Sequence, residues 1–110
     1  MQLLNLFTVA GETGDSFNTP WVPFPQDYDR AELWVECKMF TGSTVDIKLQ
    51  TSMDTDDTNA QNAGSAAVTG TGATISEITT KLAAYARLNV AVSTGTTHAV
   101  ISVWVLPKRE

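Results

Sequence analysis

The chain has 110 residues, enough for one domain with one core, and its formal net charge of −5 with only 7 Lys+Arg argues against a nucleic-acid surface, because affinity for phosphates comes from clustered basic side chains. No run approaches the ~20 apolar residues of a membrane-spanning helix, and the start MQLLNLFTVAGETGD lacks the basic n-region and long apolar core of a signal peptide. One cysteine, Cys37, excludes an internal disulfide, and the Thr-rich, Gly-containing composition with few strong helix formers points to an all-β domain.

Residues 3–9 (LLNLFTV) read as a first strand, and residues 11–14 as a turn. Residues 16–24 (SFNTPWVPF) are extended, but Pro20 and Pro23 lack a ladder donor, so this stretch belongs on an edge strand or an ordered arm. Residues 1–29 together form an N-terminal strand and Pro-containing arm, with Asp27 and Asp29 flanking Tyr28 in its last loop.

Residues 31–40 (AELWVECKMF) alternate as a strand, with Ala31, Leu33, Val35, Cys37 and Met39 inward and Glu32, Trp34, Glu36 and Lys38 outward. Residues 45–51 (VDIKLQT) read as its hairpin partner, with Val45, Ile47 and Leu49 inward. Matching the inward faces sets Met39 opposite Val45, Cys37 opposite Ile47 and Val35 opposite Leu49, around a turn at 41–43 with Gly42 available for a positive φ. The same register pairs Lys38 with Asp46 and Glu36 with Lys48.

Residues 52–71 (SMDTDDTNAQNAGSAAVTGT) are the longest irregular segment, a loop length that is usually functional or ordered by a partner. Residues 72–82 (GATISEITTKL) mix helical spacing of Ile75, Ile78 and Leu82 with a Thr content that favours a strand, and the strand reading is preferred. Residues 85–106 then show two apolar β-branched runs around TGTT, the pattern of a hairpin with Gly95-Thr96 as a type II′ turn. In that register Val92 pairs with Ala99, Val90 with Ile101, Leu88 with Val103 and Ala86 with Val105 on a dry face. The opposite face pairs Arg87 with Trp104 as a candidate cation–π contact, and Tyr85 with Leu106.

The sum is six to eight antiparallel strands in a single β-sandwich spanning 1–110, jelly-roll-like, with an immunoglobulin-like sandwich as the second arrangement. The chain carries no catalytic signature: Ser-His-Asp order and a G-x-S-x-G elbow are absent, and His98 is the single histidine, beside a turn. Glu32 and Glu36 are four residues apart, about 13 Å at strand rise, too far for a retaining carboxylate pair. The run Asp54-Thr55-Asp56-Asp57-Thr58-Asn59 has D-x-D spacing, but Asn59 and Ser65 stand where an EF-hand needs Gly and Glu. The run therefore reads as a solvated acidic loop, with a calcium site of another kind as the lesser alternative, and no enzyme activity or cofactor is expected.

The aromatic residues carry more. Trp21 lies between two prolines, and Trp34 and Trp104 face outward on strands. Outward tryptophans are covered by the chain's own arm, form a protein interface, or stack sugars. Trp21, Trp34, Tyr85, Arg87, Trp104 and Leu106 are accordingly the partner-interface candidates.

The stretch VDIKLQTSMD resembles the strand-plus-Q-T-S-x-D passage of galactose-binding-like jelly rolls, and YARLNVAVSTGTTHAVISVWVLPK resembles their closing strands. These two stretches cover about a third of the chain. The resemblance is to small, cysteine-poor virion proteins of tailed bacteriophages. It implies a non-enzymatic capsid decoration or minor head protein, located in the virion, that binds a major capsid or other virion protein and further copies of itself, with no nucleic-acid or membrane partner. The alternative it leaves open is a carbohydrate-binding module or a tail- or fibre-associated adhesion domain. A Trp after the Asp of QTSMD, part of the sugar-binding pattern, is absent.

Overall fold

The computed structural model describes residues 2–10, 16–25, 27–28, 30–42, 44–92 and 98–108. Its strands are β1 (Gln2–Ala10), β2 (Ser16–Asn18), β3 (Val22–Pro23), β4 (Arg30–Thr41), β5 (Val45–Ser52), β6 (Gln61–Val68), β7 (Gly72–Ile78), β8 (Tyr85–Val92) and β9 (His98–Lys108). They form two antiparallel sheets. Sheet A has the order β1-β9-β4-β7, and sheet B has the order β2-β8-β5-β6 with β3 also on β8. Consecutive strands alternate between the sheets except at β2–β3 and β5–β6, which is the wiring of a jelly roll.

This wiring corrects both expected hairpins. Strand β4 lies in sheet A and β5 in sheet B; β8 lies in sheet B and β9 in sheet A. Each expected pair of strands faces the other across the core instead of lying beside it. The inward sets are nonetheless as read: Ala31, Leu33, Val35 and Cys37, then Val45, Ile47 and Leu49, then Ala86, Leu88, Val90 and Val92, then Ala99, Ile101, Val103 and Val105 are all buried. Alternation states which residues face the core. It cannot state whether the next strand sits in the same layer or the opposite one, because both arrangements bury the same residues. Leu88 is opposite Leu49 of β5, and Val103 is opposite Val35 of β4, so the expected Leu88–Val103 pair does not form. The chain crosses between sheets from β4 to β5, with Gly42 at φ 147°, a conformation open mainly to glycine. The expected Gly95-Thr96 turn lies outside the described residues.

Two further expectations change for local reasons. Met39 is 54% exposed, because Cys37 pairs with Ile101 and Met39 with Val100, leaving Lys38 as an extra residue. This bulge reverses the alternation, so Met39 turns out and Phe40 packs against the core. The 52–71 stretch is not one loop. It holds a 3-10 turn (Asp57–Asn59) and the whole of β6, which pairs with β5 from Val45↔Val68 to Thr51↔Gln61. The sequence QNAGSAAV has little intrinsic strand preference. Its small residues fit because β6 runs at the corner of the sandwich, where a Cβ on Gly64 would meet the side chain of buried Ile78 from β7.

Ser16–Asn18 and Val22–Pro23 are short strands on the edge of sheet B, as the prolines required. The arm between them is tied down. Thr19 N–H donates to Leu88 O at 2.9 Å, and Leu88 N–H donates to Thr19 Oγ1 at 2.8 Å. Phe24 is 2% exposed and closes one end of the core.

Candidate functional site

The two sheets present unlike outer faces. On sheet A, β4 sits between β9 and β7, and its outward residue Trp34 is opposite Trp104 on one side and Ile75 on the other. Trp34 and Leu106 are each 38% exposed and Ile75 is 51% exposed. Met39 extends the apolar surface beyond the bulge. Around it stand charged groups. Glu32 Oε1 lies 2.9 Å from Lys108 Nζ, Glu36 Oε1 lies 3.7 Å from Lys38 Nζ, and Glu77 is opposite Glu32 on β7. The Glu32 contact raises the pKa of Lys108 above that of an ordinary lysine, through the hydrogen bond and the attraction of the carboxylate. An apolar centre with a charged rim is the composition of a protein–protein contact surface.

Sheet B is polar outside. Asn18, Asn89, Lys48 and Ser65 form one row across β2-β8-β5-β6, and Arg87, Gln50 and Asn62 form the next. Asn89 Nδ2 donates to Asn18 Oδ1 at 2.8 Å, and Gln50 Nε2 donates to Asn62 Oδ1 at 3.0 Å.

At the end of this face four segments meet on Arg87. Its Nη1 lies 2.6 Å from Asp57 Oδ1, its Nε donates to Gln50 Oε1 at 2.9 Å, and its guanidinium stacks 4.3 Å from the Trp21 ring centroid. Trp21 Nε1 donates to the same Asp57 Oδ1 at 3.0 Å. Arg87 is left only 6% exposed. The expected stack of Arg87 on Trp104 is thus corrected: the tryptophan over Arg87 comes from the arm, and Trp104 lies in the other sheet. The expected common face of Tyr85, Arg87, Trp104 and Leu106 is divided between the two sheets for the same reason. The expected pairs Lys38–Asp46 and Glu36–Lys48 fall away too, since β4 and β5 are not neighbours.

Asp54 and Asp56 bond within the loop, to both its backbone and its side chains. Asp54 Oδ1 accepts from Asp56 N at 2.9 Å, and Asp54 Oδ2 accepts from Asn59 Nδ2 at 3.1 Å. Asp56 caps the 3-10 turn, accepting from Thr58 N at 3.0 Å and Thr58 Oγ1 at 2.9 Å. These bonds hold the Asp56 carboxyl below the usual aspartate range. Their effect is to present Asp57 to Arg87. The sequence carries no signal that joins the acidic run to Arg87, since Asp57 and Arg87 are 30 residues apart.

Cys37 is 4% exposed, and its Sγ donates to Met39 O at 3.2 Å. Burial pushes its thiol pKa up, against the lowering effect of backbone hydrogen bonds. It forms part of the wall of a cleft of about 170 Å³ at the β6–β7 corner, with Val35, Val68, Thr69 and Thr74.

Solved structures share this arrangement. The chain superposes on PirA with a TM-score of 0.61 at 12% identity, covering 96% of this chain and 94% of that one. It superposes on the carbohydrate-binding module CBM4 with a TM-score of 0.59 at 15% identity, covering 89% of this chain and 64% of that one. The likeness is one of fold. The chain spans just under two thirds of the CBM4 chain. No protein-family model and no curated protein matches this sequence.

Proposed function

We propose that this chain is a non-enzymatic structural protein of a virus-like particle, a capsid decoration or minor head protein, which docks on a lattice protein through the outer face of sheet A. The observation that carries this reading is the row Ile75–Trp34–Trp104, apolar and open to solvent at Ile75 and Trp34, on a sheet face whose rim is charged. Tryptophans in such centres supply most of the contact energy in protein interfaces. The phage-like style of the sequence adds the class of partner, a major capsid or other virion protein, and a location in the virion. The polar rim and negative net charge give nucleic acid no foothold. The test is co-sedimentation with purified particles. Trp34→Glu is expected to abolish co-sedimentation while leaving the melting temperature within a few degrees. A chain that never sediments with particles overturns the reading.

A second reading is favoured by sheet B. The amide rows Asn18–Asn89 and Gln50–Asn62, beside the immobilised Trp21, supply the hydrogen-bonding groups and ring that a saccharide requires. The fold shared with CBM4 supports this alternative. A glycan screen tests it: binding lost on Asn89→Ala and kept in Trp34→Glu assigns the sugar to sheet B, and no binding to any glycan removes the reading.

A further inference from the structure

A β-sandwich has four edge strands, and each is a row of backbone groups able to pair with another chain. Three of the edges here carry interruptions. Strand β1 departs from regular pairing with β9 between Gln2 and Leu4 and again between Leu4 and Phe7. The β2/β3 edge is broken by Pro20 and ends in Pro23. Strand β6 has an extra residue, Ala63, between its pairs with Leu49 and Gln50. Bulges and prolines of this kind are what keep sheet edges from pairing. The fourth edge, β7, carries no bulge or proline, and its one irregular residue is the terminal Gly72, at φ 125°. It pairs with β4 without a shift from Ala31↔Ile78 to Cys37↔Gly72, carries neither proline nor lysine, and is exposed along Gly72, Ala73, Thr74 and Ile75.

We propose that β7 is a self-complementary edge through which two copies of this chain pair antiparallel about Ile75, joining their A sheets into one. Residues directly opposite in a sheet share a face. A two-fold centred on Ile75 uses the full strand: Ile75 meets Ile75 of the second copy, Gly72 meets Ile78, Thr74 meets Ser76, and Ala73 meets Glu77. The charges fit this register. The single charged residue of β7, Glu77, falls opposite Ala73 and not opposite its own copy. The apolar rows then join end to end, so that Trp104–Trp34–Ile75 of one copy continues into Ile75–Trp34–Trp104 of the other. This pairing deepens the particle reading by naming the strand of self-association, but its geometry is independent of any lattice.

Light scattering on the purified chain across a concentration series tests it. The expected mass at high concentration is twice 11.9 kDa. Ala73→Glu, which sets a second carboxylate against Glu77 at both ends of the two-fold, is expected to weaken association roughly 2- to 30-fold. Adding Glu77→Lys to Ala73→Glu is expected to restore it. Both positions are exposed, and circular dichroism checks that the variants fold. A monomer at every concentration overturns the proposal, as does a dimer indifferent to Ala73→Glu. A dimer lost only in Trp34→Glu places self-association on the sheet face and overturns the edge proposal while lattice docking stands. Loss of co-sedimentation in Trp34→Glu with the dimer intact supports both.

Discussion

Arg87 and Asp57 meet at 2.6 Å, joining a nearly buried guanidinium on β8 to a largely exposed carboxylate in the loop before β6. Trp21 closes the arrangement from the N-terminal arm, stacking on Arg87 and donating to Asp57. Three segments distant in sequence are therefore held by one carboxylate oxygen. This is a fastening of the fold. It explains why Arg87 can be buried at the sheet surface, where an unpaired charge would cost several kcal/mol.

Removing the carboxylate should loosen all three segments. Asp57→Ala leaves the Arg87 guanidinium with Gln50 and the Trp21 ring alone. Because Asp57 is mostly in water, the loss is set at the low end for a hydrogen bond to a charged group, about 1–2 kcal/mol. Thermal unfolding should report a fall of roughly 4–8 °C per kcal/mol. Trp21→Ala is expected to overlap with it, so that the double variant loses less than the two single losses added together. Strict additivity in a double-mutant cycle would show that the arm and the loop do not share this contact.

Asp56 should titrate low. Its carboxylate accepts from both the amide and the hydroxyl of Thr58, which depresses the folded-state pKa. A depressed carboxyl stabilises the fold above its unfolded pKa, and that contribution is lost as pH falls through the folded value. Carboxyl chemical shifts followed through acid pH should place the Asp56 midpoint below that of a free aspartate. Asp56→Ala should abolish the 3-10 cap and weaken the Asp57–Arg87 contact with it.

Gly64 should not tolerate alanine without a response from Ile78. An added Cβ collides with the end of the Ile78 side chain, which is 2% exposed and has little room to turn. Gly64→Ala is expected to cost about 1–3 kcal/mol in denaturant unfolding. Ile78→Val in the Gly64→Ala background should recover part of that loss. Full stability of Gly64→Ala alone would show that the corner between β6 and β7 is looser than described.

Cys37 should be inert in the folded protein. Burial disfavours the thiolate, so the folded pKa lies above the unfolded one. The stability this contributes is present below the unfolded pKa and is lost as pH rises through the folded value. Alkylation should be far slower in native buffer than in denaturant at the same mildly alkaline pH. Equal rates would mean that the β4 bulge opens readily.

The alternation of residues 31–37, 45–49, 85–92 and 99–105 determined by itself which side chains of those strands enter the core, and the prolines at 20 and 23 determined that their stretch lies at an edge. Side-chain periodicity is a local property, and it survives any choice of neighbour. What lies beside each strand is not local. Two apolar strands joined by a short Gly-containing turn can pair in one sheet or face each other across about 10 Å of core, with the same residues inward. Only the tertiary structure decided for the second, and with it moved Trp104 away from Arg87 and put Trp21 there. It also made a strand of QNAGSAAV, whose place depends on close packing at the sandwich corner and not on propensity. The chemistry of the two outer faces followed from that wiring, because each face is assembled from strands that are far apart in the chain.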